Sequence, residues 1–557
     1  MSFTALVVAY FYVVDRVYFS SKHLSPMFRY LLLVEDFKFA WFSLGICVVA
    51  AAGRWPQAWP TAADWAAKRP LQIAIAATTL LAVAARVIYH DTAFAMDEYA
   101  AVFQAKTFIT GHLSARLPPS VIDWLIPSGF NGEFLIASRV SGATVEAYWP
   151  GFSLLLAPFE ALNAGWLCNP CLAGLGLYLI YRITLDITGS QRSAGWALIF
   201  TLASGAFIAN AISYYAMQAH LTLNLLFTWL LLRADKRSCV LAGVVGSVAL
   251  VLHQPFPHAM FAAPWLLALV LDRQRRALVL PTVLGYLPLL LVIGLGWLRL
   301  KGSVMAGDAG FNDFSSNLLS VFRIPDKSMI DMRVAAVAKM WIWAVPGLFL
   351  LAALGYWAHR DDSRVRLLAA SAALTFFGYF FVIFDQGHGW GFRYFHSAWG
   401  VIPILAALAL PGDSIPAGRT TAFIGAVTLL SLLVVVPYQL IRIENIISSH
   451  NAELPPSTSG GLNVYFVHWP GAFYVADLVQ IDPLLRGNNL VLFSRGDDLD
   501  AELRRQNWPK ATVVARSASV EEWQLGPNEH WIANPASHGA DRYSLHYTPP
   551  EAQTPPP

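Results

Sequence analysis

Long apolar runs recur along this chain of 557 residues, from its first residue to about residue 440. A helix that crosses a bilayer needs about 20 consecutive apolar residues, and many of these runs approach that length. Hydrophobic residues make up 56% of the chain and charged residues only 13%, whereas a soluble domain carries about 25% charged residues. The sequence therefore predicts a polytopic α-helical membrane protein and excludes an ordinary cytosolic enzyme.

Charged breaks divide the apolar runs into thirteen predicted spans. They cover residues 1–19, 37–53, 71–90, 166–185, 194–212, 219–233, 239–255, 258–272, 277–298, 336–357, 366–384, 395–411 and 419–440. The loops on one side carry Lys and Arg, as at 68–69 and 273–276, whereas turns on the other side, such as 254–257 and 385–391, carry neither. Because Lys and Arg in short loops resist translocation, the basic loops are predicted to be cytoplasmic.

Breaks in composition suggest a division into domains. We expect two additional N-terminal transmembrane helices at 1–70, a transmembrane core at 71–440 with external loops 91–165 and 299–335, an external α/β domain at 443–547, and a disordered tail at 548–557. Alternating segments at Leu462–His468, Asn489–Ser494 and Ala511–Ala515 predict strands in the C-terminal domain. The first external loop contains acids, prolines and a short amphipathic run, which predicts helices lying at the membrane surface.

Two adjacent acids, Asp97 and Glu98, stand just beyond the third predicted span. At the start of a helix they would favour its N-terminus electrostatically, which is a structural explanation for the pair. Acids at the mouth of the membrane are also candidates for a functional site. The sequence around the pair decides between these two interpretations.

That surrounding sequence resembles the GT-C class of membrane glycosyltransferases, in particular the bacterial relatives of protein O-mannosyltransferases and the lipid A aminoarabinose transferase. Four sequence elements carry the similarity. Two belong to the first external loop, Asp97-Glu98 at its start and Tyr148 to Pro158 near its end. The other two are Trp166 to Pro170, which enters the next span, and Gly389-Trp390-Gly391-Phe392-Arg393-Tyr394, which precedes a late span. The similarity extends over about residues 70–440, and the two N-terminal helices are a departure from it.

The resemblance implies an inverting transfer of a monosaccharide from a polyprenyl-phosphate donor to an acceptor at the periplasmic face of a bacterial inner membrane. Asp97 would be the general base that removes a proton from the acceptor, and Glu98 would position that base, the acceptor or a metal. Arg393 would bind the donor phosphate, because a guanidinium can grip phosphate oxygens in a bidentate way. Lys301 and His396 are further candidates for that phosphate, and an interfacial Arg that reaches lipid headgroups is the alternative for Arg393.

Several other side chains are substrate-binding candidates. They are Glu146, Tyr148, His220, His253 and His258. Glu146 is equally well explained as a solvated loop acid, and the histidines as partners of lipid headgroups or of the acceptor. A divalent ion (Mg, Mn or Zn) held by Asp97, His253 and His258 is an optional cofactor, since His and carboxylate suit such ions.

Other functions remain open from the sequence. A transporter or lipid flippase would share the apolar spans, although we find no internal repeat of the kind that builds many transporters. An oligosaccharide ligase or polymerase using a pyrophosphate-linked glycan would share the topology, and a non-catalytic scaffold is a further reading. The expected partners are the donor, an acceptor glycan, lipid or protein, and membrane lipids. Nucleic acid is not expected, because the net charge is only +3.

Overall fold

The computed structural model describes residues 1–17, 26–306, 321–383, 389–410, 418–455, 461–469, 474–531 and 545–549. Parts of the predicted loop 299–335, turn 385–391 and C-terminal tail 548–557 therefore lie outside the described residues. The chain forms two compact units. The first unit comprises Met1–Thr92, Ala164–Leu295 and Asn317–Asn445, and the second comprises Ala93–Asn163, Gly296–Ser316 and Ile446–Pro557.

The regular secondary-structure elements of the first unit, within its described residues, are all helices. Its α-helices are Ser2–Val17, Pro26–Tyr30, Asp36–Ala52, Trp59–Ala67, Pro70–Ile88, Cys168–Thr188, Gln191–Leu202, Gly205–Ala211, Met217–Leu232, Lys236–Leu250, Phe256–Leu271, Val279–Leu289, Lys327–Ile342, Leu348–Ala358, Ser363–Gly378, Arg393–Trp399, Val401–Leu408, Arg419–Leu430 and Val436–Asn451, the last of which continues into the second unit. Several begin at an aspartate whose carboxylate accepts from a backbone N–H of the first turn, as Asp235 does from Ser238 at 3.0 Å and Asp326 from Met329 at 2.9 Å.

Five helical stretches of the described chain are long and apolar enough to cross a membrane, or six if one bent helix pair forms a single span. They are Pro70–Ile88, Gly165–Thr188, Arg276–Met305, Ser363–Phe381 and Arg419–Asn451, with the pair Gln191–Leu202 and Gly205–Ala211 bent by 66°. The other predicted spans correspond to shorter helices, such as Met217–Leu232. The run 336–357, predicted as one span, is two helices that meet near Gly347, whose φ of +91° lies in the left-handed region. The chain is a multi-pass helical membrane protein, and the count of thirteen spans stays a prediction.

Helix Pro70–Ile88 shows how the exterior of the first unit suits lipid. Most of its large apolar side chains are exposed, with Leu80 70% and Val87 61% accessible, whereas the small residues Ala74, Ala77 and Ala85 are buried. A soluble protein would place the large apolar residues inside. In a bilayer the hydrocarbon chains solvate them, and small residues let helix backbones approach closely.

Close helix packing is most evident at Gly243 and Gly285, on helices Lys236–Leu250 and Val279–Leu289. A Cβ on Gly243 would lie 2.1 Å from the carbonyl oxygen of Thr282, and a Cβ on Gly285 would lie 2.1 Å from that of Val240. Neither position can accommodate a side chain, because the obstructing atoms are backbone.

The second unit combines helices with two small sheets. Its α-helices are Met96–Ile109, Ile122–Leu125, Gly151–Ala161, Gly296–Met305 and Asp497–Asn507. Strands β1 (Ala115–Arg116), β2 (Leu135–Ala137) and β3 (Ala143–Glu146) form an antiparallel sheet in the order β1-β3-β2. This sheet was not predicted. Helix Met96–Ile109 is buried on nearly all sides, and so it is not the surface-lying helix expected from the sequence.

The C-terminal residues contain a four-stranded sheet. Its strands are β4 (Asn463–Val467), β5 (Asn489–Phe493), β6 (Thr512–Arg516) and β7 (Val520–Gln524), in the order β5-β4-β7-β6. Strands β4 and β5 run parallel, and the other two pairs are antiparallel. The first three strands coincide with the three segments predicted as strands. The boundaries 443–547 and an external location of this sheet stay predictions.

Candidate active site

The start of helix Met96–Ile109 determines the geometry around the acidic pair. The Glu98 side chain is fully buried, and its carboxylate accepts hydrogen bonds from the backbone N–H groups of Phe94 at 2.9 Å and Ala95 at 3.2 Å. An acid at the third helical position that reaches back to the preceding backbone stabilises a helix start. The structural explanation of the acidic pair therefore holds for Glu98, which positions the helix.

Asp97, by contrast, is only half-buried. One of its carboxylate oxygens, Oδ1, accepts a hydrogen bond from the hydroxyl of Tyr148. The structure thus brings together two candidates that lie 51 positions apart in the sequence. A carboxylate with a fixed orientation and partial access to solvent has the geometry that a general base requires.

The chain segment that carries Tyr148 is held by helix Gly296–Met305. The indole N–H of Trp297 donates to the Tyr148 carbonyl at 2.7 Å, and the Lys301 ammonium donates to the Ala147 carbonyl at 2.6 Å. Trp297 and Lys301 are four positions apart and lie on one face of their helix. Lys301, a sequence candidate for phosphate binding, is 2% exposed and holds this segment in place.

Glu146 is buried and lies at the end of strand β3. Its carboxylate accepts from the Ser153 hydroxyl at 2.6 Å, and its backbone N–H donates to the Gln104 side chain at 3.1 Å. Burial raises the pKa of Glu146 to about 8, partly offset by the hydroxyl of Ser153 and the charge of Lys301. A buried position fits neither a solvated loop acid nor a freely accessible base, and the carboxyl is mostly protonated at neutral pH.

A further acid, Asp477, belongs to this group and was missed in the sequence. It is 6% exposed, in the turn Val475–Leu478, and its nearest charged neighbours include Asp97 and Glu98. Burial and the charge of Asp97 raise the pKa of Asp477 well above its ordinary value. No local pattern marks this residue, because 379 intervening positions separate it from Asp97.

The candidates in the first unit form a separate set. Arg393 begins the helix Arg393–Trp399, is 4% exposed, and places its guanidinium 4.1 Å from the ring centre of Tyr215. His396 lies one turn further along and is buried, with its Nε2 3.1 Å from the side-chain oxygen of Gln218. Both side chains point into the helical unit, which argues against an Arg393 that reaches out to lipid headgroups.

Three predicted histidines also meet inside the first unit. His258 bonds through its two ring nitrogens to the Asn224 side chain and to the Tyr286 hydroxyl, both at 2.7 Å. His220 is fully buried, its titratable neighbours are His253 and His258, and neither of its ring nitrogens has a hydrogen-bond partner among the residues that the structure describes. All three imidazoles are buried, and His253 lies in the turn between helices Lys236–Leu250 and Phe256–Leu271.

The structure thus sorts the predicted residues into two sets. Asp97, Glu98, Glu146, Tyr148 and Lys301 cluster in the second unit, and His220, His253, His258, Arg393 and His396 lie in the first. Within the described parts of the chain, no group of three or more His, Cys, Asp or Glu side chains is arranged to hold a metal ion. The divalent ion expected at Asp97, His253 and His258 therefore gains no support and stays a prediction.

Comparisons with known proteins bear on the fold. No protein-family model matches the chain, and no curated protein matches it in sequence. Among solved structures, ArnT from Cupriavidus metallidurans bound to undecaprenyl phosphate is similar, with a TM-score of 0.53 and 11% identity over 82% of this chain and 98% of ArnT. Apo ArnT gives a TM-score of 0.47 at 12% identity, over 81% of this chain and 99% of its own. The oligosaccharyltransferase AglB from Archaeoglobus fulgidus, in complex with an inhibitory peptide and a dolichol-phosphate, gives a TM-score of 0.43 at 14% identity. This match covers 68% of this chain and 56% of AglB. The first comparison confirms the predicted resemblance at the level of the fold, which this chain shares with ArnT.

Proposed function

We propose that this protein is an inverting glycosyltransferase that moves a monosaccharide from a polyprenyl-phosphate donor to an acceptor, with Asp97 as general base. The observation that carries the proposal is the division of labour within the acidic pair. Glu98 is fully buried and bonded to backbone N–H groups, whereas Asp97 is half-buried and held by the Tyr148 hydroxyl. One acid builds the site and the other is placed to react.

The proposed reaction is a single displacement. Asp97 takes the proton from an acceptor hydroxyl or amine while that atom forms a bond to the anomeric carbon of the donor sugar. The bond from the anomeric carbon to the phosphate oxygen breaks, and the polyprenyl phosphate leaves with its electron pair. One displacement inverts the anomeric configuration, unlike the two-step route through a glycosyl-enzyme.

The proposed class of donor and the proposed orientation of the protein in the membrane have further support. ArnT, whose fold this chain shares, was crystallised with undecaprenyl phosphate, and we assign the same class of carrier lipid to this protein. Arg393 supplies a buried cation for the phosphate, with Lys301 and His396 as further candidates. The positive-inside pattern supports a location of the acids, the loops 91–165 and 299–335 and the C-terminal sheet at the periplasmic face of a bacterial inner membrane, within a thirteen-span topology.

The test is transfer by the purified full-length protein. The donor is undecaprenyl phosphate carrying a radiolabelled monosaccharide, tried with several sugars, and the acceptor pool is a bacterial envelope extract. We expect Asp97→Asn to lower kcat by about 10²- to 10⁴-fold, the usual contribution of a general base. Asp123→Asn is the matched control, because Asp123 lies in the same loop and pairs with Arg139 at 2.8 Å. Transfer by Asp97→Asn at the wild-type rate would overturn the assignment of the base, and a wild type inactive with every donor would overturn the proposed function.

A further inference from the structure

Residues 545–549 form a short segment of the second unit that lies outside the described helices and strands. His546, Thr548 and Pro549 are exposed, whereas Leu545 is buried and Tyr547 is half-buried. The backbone of the segment is nevertheless bound at three successive residues by polar side chains of the same unit. The segment therefore lies on the protein surface as a bound peptide would.

Two neighbouring amide side chains hold the backbone of this segment. Asn507 donates to the His546 carbonyl at 2.7 Å and accepts from the His546 N–H at 3.0 Å. Gln506 binds Thr548 in the same way, donating to its carbonyl at 2.8 Å and accepting from its N–H at 2.9 Å. Each amide thus makes the pair of bonds that a residue of a neighbouring antiparallel strand would make. Because alternate residues face the amides, the backbone between them is extended.

These two amides, which we call the amide clamp, are held in place by their own helix, Asp497–Asn507. The Asn507 amide also donates to the Leu503 carbonyl at 2.9 Å, and the Gln506 amide to the Glu502 carboxylate at 2.7 Å. An amide has two N–H donors, and so one remains for the segment in each case. The helix therefore orients the clamp in advance, which lowers the entropy lost when a peptide binds.

The residue between the two clamped ones is held through its side chain. The ring of Tyr547 packs on that of Trp124, with centroids 4.8 Å apart, and the Tyr547 N–H donates to the Ser120 hydroxyl at 3.1 Å. Trp124 is fixed in turn, because its indole N–H donates to the Asp500 carboxylate at 2.8 Å. Main-chain bonds at alternate residues combined with a contact for a chosen side chain are typical of sites that bind extended peptides.

We propose that the amide clamp, with Ser120 and Trp124, is a recognition site for an extended peptide, and that residues 545–549 occupy it as an intramolecular ligand. An extended segment of another protein, with an aromatic residue at the place of Tyr547, takes over the site when residues 545–549 leave it. The clamp contacts only backbone atoms of the flanking residues, and so their side chains are free to vary. This inference does not depend on the proposed function.

The test uses the purified full-length protein with a protease site inserted after Ser537, so that residues 545–549 are cut from the rest after folding. The probe is a fluorescent peptide of residues 543–552, whose anisotropy reports binding, and the released fragment is removed by gel filtration. We expect the cut protein to bind the probe about 10-fold or more tightly than the uncut protein. A tethered ligand competes at an effective concentration of about 1 mM, and cutting removes this competition.

A substitution in the clamp shows whether the probe binds there. Asn507→Ala removes two hydrogen bonds to the peptide, and we expect the affinity of the cut protein for the probe to fall about 10- to 100-fold. Asn488→Ala is the matched control, because Asn488 is an exposed amide of the same unit. It should leave the affinity within about twofold of wild type.

Altered probes show which atoms the site recognises. A probe with His546→Ala and Thr548→Ala keeps every backbone bond to the clamp and should bind within about threefold of the parent probe. Methylation of the same two backbone nitrogens removes two donors and should weaken binding about 10-fold or more. Tyr547→Ala removes the aromatic contact with Trp124 and should weaken binding about 10-fold.

The outcomes decide each half of the inference. If the fragment leaves and the probe does not bind the cut protein, the site does not recognise a separate peptide and the inference is wrong. Equal affinities of wild type and Asn507→Ala would show that the clamp is not the binding site. Equal affinities of cut and uncut protein would overturn the role of residues 545–549 as an intramolecular ligand.

Discussion

Buried acids in the two units have different partners. In the first unit the Asp36 carboxylate lies 2.8 Å from the Lys339 ammonium, with both side chains at most 1% exposed, and Glu35 lies 2.7 Å from Arg442. In the second unit the acids face hydroxyl and backbone N–H groups, as Glu98 and Glu146 do. A buried acid paired with a cation depends on that cation to compensate its charge, whereas an acid bound by neutral donors can keep or exchange a proton. This difference in partners supports the proposal that proton transfer takes place in the second unit.

The ion pair of the first unit gives the largest expected effect. Lys339→Met removes the cation and leaves Asp36 buried, with the Trp343 indole at 2.8 Å as a remaining donor. A buried charge that loses its partner costs about 3–5 kcal/mol of stability. The free energy of unfolding in mixed micelles with increasing SDS measures this loss.

The double variant Asp36→Asn with Lys339→Met is the control for that experiment. It removes both charges and leaves no unpaired ion, and so most of the lost stability should return. Equal losses in the single and double variants would show that the pair is not what stabilises this part of the first unit. The statement that buried acids of the first unit depend on cationic partners would then be wrong.

The second prediction concerns Glu146. Its pKa is about 8 in the folded protein and near 4.5 when unfolded. Between these values the folded state holds a proton that the unfolded state releases, and so stability falls as the pH rises, by about 1.4 kcal/mol per pH unit. Glu146→Gln removes this dependence and keeps an acceptor for the Ser153 hydroxyl. Between about pH 5.5 and about pH 7.5, the unfolding free energy of the variant should rise by about 3 kcal/mol relative to that of the wild type.

Unfolding measured at several pH values tests this expectation. Asp498→Asn is the control, because Asp498 lies in the same unit but is exposed, and it should leave the pH dependence unchanged. If the unfolding free energies of Glu146→Gln and wild type differed by a constant amount over this pH range, Glu146 would be ionised in the folded state. Lys301 would then be its ion-pair partner, and the contrast between the two units would disappear.

The sequence predicted these features unevenly. The membrane character, the strands β4 to β6 and the acidic pair Asp97-Glu98 follow from local composition and spacing. The contacts of Asp97 with Tyr148 and of Tyr99 with Ile481 do not, because the partners are 51 and 382 positions apart. The structural role of Lys301 could not be predicted either. A lysine next to a span is a candidate cation for phosphate, and only the structure shows that it donates to the Ala147 carbonyl.

The smallest expected effect comes from an exposed pair, which shows whether burial or pairing sets the size of the first prediction. Lys327 lies 3.1 Å from Asp331 on the first unit, with side chains 79% and 32% exposed. Exposed pairs of this spacing contribute about 0.3–0.5 kcal/mol. Lys327 is also the first residue of its helix, where a cation opposes the helix dipole, and so Lys327→Ala should change the unfolding free energy by less than about 0.5 kcal/mol. A loss as large as that of Lys339→Met would mean that pairing alone stabilises charges in this unit. A near-zero value would leave burial as the reason why Asp36 needs Lys339 while the acids of the second unit keep neutral partners.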